Sequence, residues 1–159
     1  MSQAQGSEAR VIMATEATFK ASPETVIHTC EAAWDELVDA DVTASADTTA
    51  GCFKVGTKSA KFVIAAGLSA GDIIATDDFT AKDLSAHTHL VAWVMSSVNL
   101  AAGDMQILLD NTAQCASPLE SLDVPALTAN VMTQVKIALV TPAALTAVVS
   151  VGVKAVVDK

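Results

Sequence analysis

Tyrosine is absent from this 159-residue chain, tryptophan occurs twice and phenylalanine four times. Sugar-binding surfaces stack pyranose rings on exposed aromatic side chains, so few positions can serve that purpose. Trp93 and Phe62 fall inside predicted strands, leaving Trp34, Phe53 and Phe79. Basic residues are also scarce, nine Lys+Arg against eighteen Asp+Glu, for a net charge of −9. A chain so charged repels phosphate backbones, and no basic stripe interleaved with aromatics offsets it, so nucleic acid is excluded as a partner. No apolar run approaches the ~20 residues of a membrane-spanning helix. "LVAWVM", "FVIAAGL" and "VKIALV" are short and interrupted. The opening "MSQAQGSEAR" lacks a basic segment followed by an apolar block, so a secretory leader is not expected and neither is a membrane partner. Synthesis in a cytoplasm fits these absences.

Cysteines number three, Cys30, Cys52 and Cys115, with no CxxC spacing, which argues for buried thiols over a disulfide framework. A Cys30–Cys52 bridge stays open. GxSxG, HExxH, P-loop and GxGxxG patterns are all missing, so no enzyme class, cofactor or catalytic residue is indicated.

What the chain does have is apolar content, 52% of residues, with a mean hydropathy of +0.45. That is more apolar surface than one small domain usually hides, and it favours an oligomer or an assembly. From about residue 41 the pattern is that of strands. Val42, Ala44 and Ala46 alternate with Thr43, Ser45 and Asp47, and Ala60, Phe62 and Ile64 alternate with Ser59, Lys61 and Val63. Met105, Ile107 and Leu109 share a face, as do Val135, Ile137 and Leu139, and then Val149, Val151, Val153 and Val157. Gly152 marks a bulge or a close approach. Turn residues recur about every ten positions and crossover helices are lacking, so the prediction is an all-β, antiparallel β-sandwich. Phe62, Ile64, Leu90, Trp93, Ile107, Leu109, Val135, Ile137, Leu139, Val151 and Val153 form its predicted core. Residues 1–22 read as an extended N-terminal arm and 23–159 as the single domain.

One stretch has two readings. "SPETVIHTCEAAWDEL" has Ser22 and Pro23 at a helix start and a stripe of Val26, Ile27, Cys30, Ala33, Trp34, Leu37 and Val38. It also reads as an extended segment, "TVIHT", that turns at Cys30–Glu31 and enters a strand at Trp34.

His87 and His89 stand two apart in "SAHTHLVAWVMSS", on one face of a strand, where two imidazoles can meet one metal. His28 is the only other histidine and no third ligand falls at a metal-motif spacing, so no metal site is predicted. Beyond them Leu90, Ala92 and Val94 face one way and Val91, Trp93 and Met95 the other. Neither side is polar, which predicts a strand covered on both faces. The carboxylates of "EAAWDELVDAD" and "TDDF" match no Ca²⁺ loop; they read as a solvated surface, with Asp77 and Asp78, placed in a loop, the better candidates for a cation.

The order of features, "VTASADTTAGCFKVGTKSAKFVIAAG", "TAKDLSAHTHLVAWVMSS" and "LESLDVPALTANVMTQVKIAL", resembles β-sandwich virion proteins of tailed bacteriophages, jelly-roll domains similar to carbohydrate-binding modules. The resemblance spans about residues 25–158 and rests on Gly56, Ser59 and Lys61, on Asp83, Leu84, Ser85, His89, Leu90 and Trp93, and on the loop from Val124 to Leu127. The chain departs from it at Met132, where such domains often carry Trp. The resemblance implies a decoration or cement protein on the capsid exterior, a homotrimer bound to the major capsid protein, with the arm reaching the shell. A carbohydrate- or receptor-binding module of a tail or fibre is the other role it allows.

Overall fold

A computed structural model describes residues 24–158. Nine strands make up the regular structure: β1 (Leu37–Val38), β2 (Val42–Asp47), β3 (Ser59–Ile64), β4 (Ile73–Lys82), β5 (His89–Val94), β6 (Met105–Asp110), β7 (Glu120–Asp123), β8 (Thr133–Ala138) and β9 (Val148–Ala155). Two single 3-10 turns complete it, Ala113–Cys115 and Pro142–Ala144. All ladders are antiparallel. The chain is therefore all-β, with a sandwich-like architecture. The predicted arm, residues 1–22, lies outside the described residues.

One layer is a continuous sheet in the order β1-β4-β9-β6-β7. The facing layer is split into two antiparallel pairs, β2-β3 and β5-β8. Between them lies a core in which Ile107, Leu109, Leu122, Val135, Leu145, Val148 and Val151 are buried. Phe62, Leu90, Ile137 and Leu139 pack against it while half-buried. Val153 is 9% exposed and borders it.

The middle of the continuous sheet is covered on both faces. Leu108 and Leu109, neighbours that point to opposite sides, are both essentially inaccessible. Leu109 faces the sandwich core. On the other side the chain of residues 111–119 folds over β6 and β9. Asp110, fully buried, ties that segment down: it accepts from the Asn111 and Ser117 amides, each at 2.8 Å, and from the Thr112 hydroxyl. Gln114 and Cys115 adopt φ of 59° and 49°, so the backbone turns sharply and sinks Cys115 against the sheet. Gly152 is what admits it. A Cβ there would meet Cys115 Sγ and Thr76 Cγ2 at 3.1 Å each. The glycine is a close-approach site, and the register shifts of β9's ladder with β4 lie elsewhere, between Ile73 and Ala75 and between Asp78 and Lys82 on β4.

Two predicted core residues need correction. Trp93 is 43% exposed and Ile64 is 48% exposed. Trp93 sits on the outer face of β5, where no element of the described chain covers it. Ile64 ends β3 beside the break in the split layer, so the wall that would enclose it is absent from the described residues. The tryptophan in the core is Trp34, edge-on to Phe62 at 5.5 Å between ring centroids.

Residues 24–36 form no helix. The stripe that suggests one is overridden by contacts along an extended path. Glu31 accepts from the Thr57 hydroxyl at 2.6 Å and from the Thr57 and Lys58 amides at 2.8 and 3.3 Å. Cys30 takes φ of 57°, a left-handed turn incompatible with a continuing helix. Trp34 then drops into the core. Asp77 and Asp78 lie within β4, not in a loop.

Candidate functional site

Three places gather chemistry-bearing side chains. The first is built around His28. Its Nε2 meets Asp77 Oδ2 at 2.5 Å, while Nδ1 accepts from the Cys30 amide at 2.9 Å and faces the Trp34 indole N–H at 3.3 Å. With Nδ1 an acceptor, Nε2 is the nitrogen that carries the proton and donates to the carboxylate. Asp35 and Glu36 bring their carboxylates beside Asp77, so that one oxygen of each lies within 4.8 Å of the others. Burial raises the Asp77 carboxyl above its ordinary range; His28 opposes that shift and Asp35 adds to it.

Cys30, His28 and Asp77 thus share one neighbourhood, a combination that in other geometry activates a nucleophile. Here both ring nitrogens are engaged by groups other than the thiol. Burial, followed by the charges of Asp77 and Glu31, raises the Cys30 thiol, which keeps it protonated and a poor nucleophile. The cluster is a clamp. It fixes the chain around residues 28–34 against β4 and orients Trp34 for the core.

The second place is the pair predicted from spacing. His87 shares a hydrogen bond with the Thr25 hydroxyl at 2.9 Å, and His89 with the Thr88 hydroxyl at 2.8 Å. His28 lies elsewhere, against β4, so the three histidines do not converge. Cys30, Cys52 and Cys115 are all free thiols. Cys115, buried beside the Ser150 hydroxyl at 3.3 Å, is pushed by desolvation to about 11.

The third place is apolar. On the outer face of β5, Val91, Trp93 and Met95 are 53%, 43% and 38% exposed. Period-two alternation puts them in one row. Lys54 reaches over the row, its Nζ 5.7 Å from the centre of the Trp93 ring. Val63, on the outer face of β3, adds to the same side of the molecule. Between β3 and β5 the split layer opens into a cleft of about 1630 Å³ that reaches down to Ile107, Leu109 and Val151 in the core.

Sequence reasoning reached the third place by the right residues and the wrong environment: the two-sided apolarity of β5 is real, but one side faces outward. It missed the His28 clamp, because residues 28, 35 and 77 are joined only by the fold. Comparison with protein-family models, with curated proteins and with solved structures finds no match.

Proposed function

We propose that this protein is a structural subunit that works by packing its apolar outer face against other protein. The fuller form of the reading is a decoration protein bound as a trimer to the major capsid protein on the outside of a bacteriophage capsid. The observation that carries the packing role is the row Val91, Trp93 and Met95, large apolar side chains exposed side by side on one strand. Such a row is costly in water and stabilising once another surface covers it, at about 25 cal/mol per Å² of apolar area removed from solvent. The capsid assignment rests on the sequence resemblance alone.

A cement protein needs no catalytic group. It binds the assembled lattice in preference to free subunits and so shifts the assembly equilibrium, with several modest contacts adding through effective concentration. The protonated Cys30 thiol and the engaged His28 fit a role of this kind. Net charge of −9 keeps single molecules apart until a specific surface is met.

Trp93 favours one second reading. An exposed indole on a flat sheet face, with a lysine above it, is also a platform for a sugar ring, as in a receptor-binding module of a tail or fibre. The two separate cleanly. A density map of the parent particle that places the sandwich on the outside of the shell, together with a Val91→Asp variant that leaves the shell and stays folded, supports the decoration role. Density on tails, with retention on a glycan array lost in Trp93→Ala, overturns it in favour of the module.

A further inference from the structure

We propose that the outer face of β5 and β8 on one copy of this chain packs against the β1 edge of the next copy, so that copies join head to tail. The contact supplies a partner for the apolar row, and it rests on the reading of that row as a packing surface.

The face carries charge as well as apolar area. Val135 is buried, so its neighbours Gln134 and Lys136 point outward from β8. The ladder sets Gln134 opposite Trp93 and Lys136 opposite Val91. Lys54 brings a second ammonium to the Trp93 ring. Across the cleft β3 turns Lys61 and Val63 to the same side, and Lys61 is already paired with Asp47. Among the described residues neither Lys54 nor Lys136 meets a carboxylate. On a chain of net charge −9, this face is apolar and positive.

Such a face does not pack on itself. Two-fold pairing brings the Lys54 and Lys136 ammoniums of both copies together as water leaves, and like charges so placed oppose association. What suits it is a surface that is apolar and negative.

The chain has one. Among the described residues β1 is an edge strand paired only with β4. Val38 packs on the core, so Leu37 points outward and is 38% exposed. Asp35 and Glu36, both exposed, precede it, and one oxygen of each lies within 4.8 Å of the other and of Asp77. Among the described residues no lysine meets Asp35 or Glu36. Carboxylates this close repel, and a cation brought to them relieves the repulsion. Lys54 and Lys136 of a neighbouring copy are such cations, and Leu37 then meets the row of Val91 and Trp93.

β1 and β5 belong to opposite layers, so the two surfaces are distinct and the contact is heterologous. Each copy keeps one surface of each kind for its neighbours, and a repeated contact of this type closes into a ring when its rotation allows. A trimer is the smallest such ring beyond a pair.

Sedimentation of the full chain over a dilution series tests this. The unaltered chain should sediment above the 16.3 kDa of one copy and approach it on dilution. Lys54→Glu/Lys136→Glu and Asp35→Lys/Glu36→Lys should each weaken association at least about tenfold, without lowering the urea midpoint of the dispersed protein. An equal mixture of the two variants should associate again: the native edge of one meets the native face of the other, and the two reversed surfaces also match. A mixture that stays at the mass of one copy overturns the proposal, as does an unaltered chain that stays there at every concentration. If association is lost in Val91→Asp yet indifferent to both reversals, the β1 contact is wrong and the packing role of the row stands. Association indifferent to Val91→Asp as well removes both.

Discussion

β6 and β5 are both six residues long and both apolar on two sides, yet they live in different surroundings. In β6 Leu108 and Leu109 are inaccessible in opposite directions, because the sandwich core covers one and the segment of residues 111–119 covers the other. In β5 Leu90 and Ala92 face the core, while Val91 and Trp93 face outward. The difference is supplied by polar residues at a distance. Asp110, Thr112, Ser117 and Ser150 fasten a flap over β6, and nothing in the described chain does this for β5. Two-sided apolarity thus states that a strand has two surfaces to cover; it does not state what covers them.

Substitution at the two strands should separate them most sharply. Leu109→Ala removes a fully buried side chain from the core and is expected to cost about 2–5 kcal/mol, read as a lower urea midpoint with unchanged slope. A loss under about 1 kcal/mol would mean that the core can collapse around the gap. Next in size is Glu120→Ala. Glu120 is 3% exposed and accepts from the Val140 amide at 3.1 Å and the Thr141 hydroxyl at 2.9 Å, joining β7 to the chain beyond β8. Removing it strands those donors, at about 1.5–3 kcal/mol for bonds to a charged group. Glu120→Gln should recover part of that loss. No recovery would show that charge, and not reach, is what the site uses.

A third substitution probes the flap itself. Gly152→Val pushes a branched side chain against Cys115 and Thr76, where even a Cβ is tight. Overpacking of this kind costs about 1–3 kcal/mol, and thiol labelling of Cys115 should quicken as the flap lifts. Labelling that stays as slow as in the unaltered chain would place the flexibility in β4 and leave the flap closed.

The strands were legible where alternation was regular. β3 and β8 begin and end close to where Ser59, Ile64, Thr133 and Ala138 suggest, and Gly152 announces a close approach by being a glycine among valines. β1, two residues long, was reached only by the extended reading that enters a strand at Trp34, and β7, which leads into Pro125, was not seen. The environment of each face was illegible for a physical reason. Burial of Leu108 depends on a hydrogen bond from Ser150 to the Thr112 carbonyl, 38 positions away in sequence, and no local pattern encodes such a contact. The same holds for Trp34 and Trp93. Strand spacing committed Trp93 to the interior and left Trp34 among the rings free to stack a sugar, the reverse of what their burial shows, since each was settled by which elements fold over it.

Acid should expose a smaller contrast. Asp47, in the β2-β3 pair of the split layer, accepts from the Thr49 amide and pairs with Lys61 at 3.2 Å. Hydrogen bonds from Thr49, and then Lys61, hold its carboxyl down at about 2. Glu31 and Asp83 are lowered as well, by bonds from Thr57 and from Ser85. A carboxyl whose folded value is depressed contributes stability above its unfolded pKa, about 3.9 for Asp, and loses it as pH falls toward the folded value. Stability should therefore decline modestly between about pH 4 and pH 2. The loss should shrink in a Thr49→Ala variant. A carboxyl carbon titration placing Asp47 near its ordinary value would remove this contribution.

The smallest expected effect is the most telling about β5. Trp93→Ala deletes the largest side chain of the strand, yet at 43% exposure it should shift the urea midpoint of the dispersed protein by under about 1 kcal/mol, far less than Leu109→Ala. A shift of 3 kcal/mol or more, the order expected of a buried aromatic, would mean that something covers the outer face in solution. Sedimentation then identifies the cover. If the loss appears only at concentrations where the chain associates, the cover is another copy, and the energy missing from the fold of β5 is energy held in its interface.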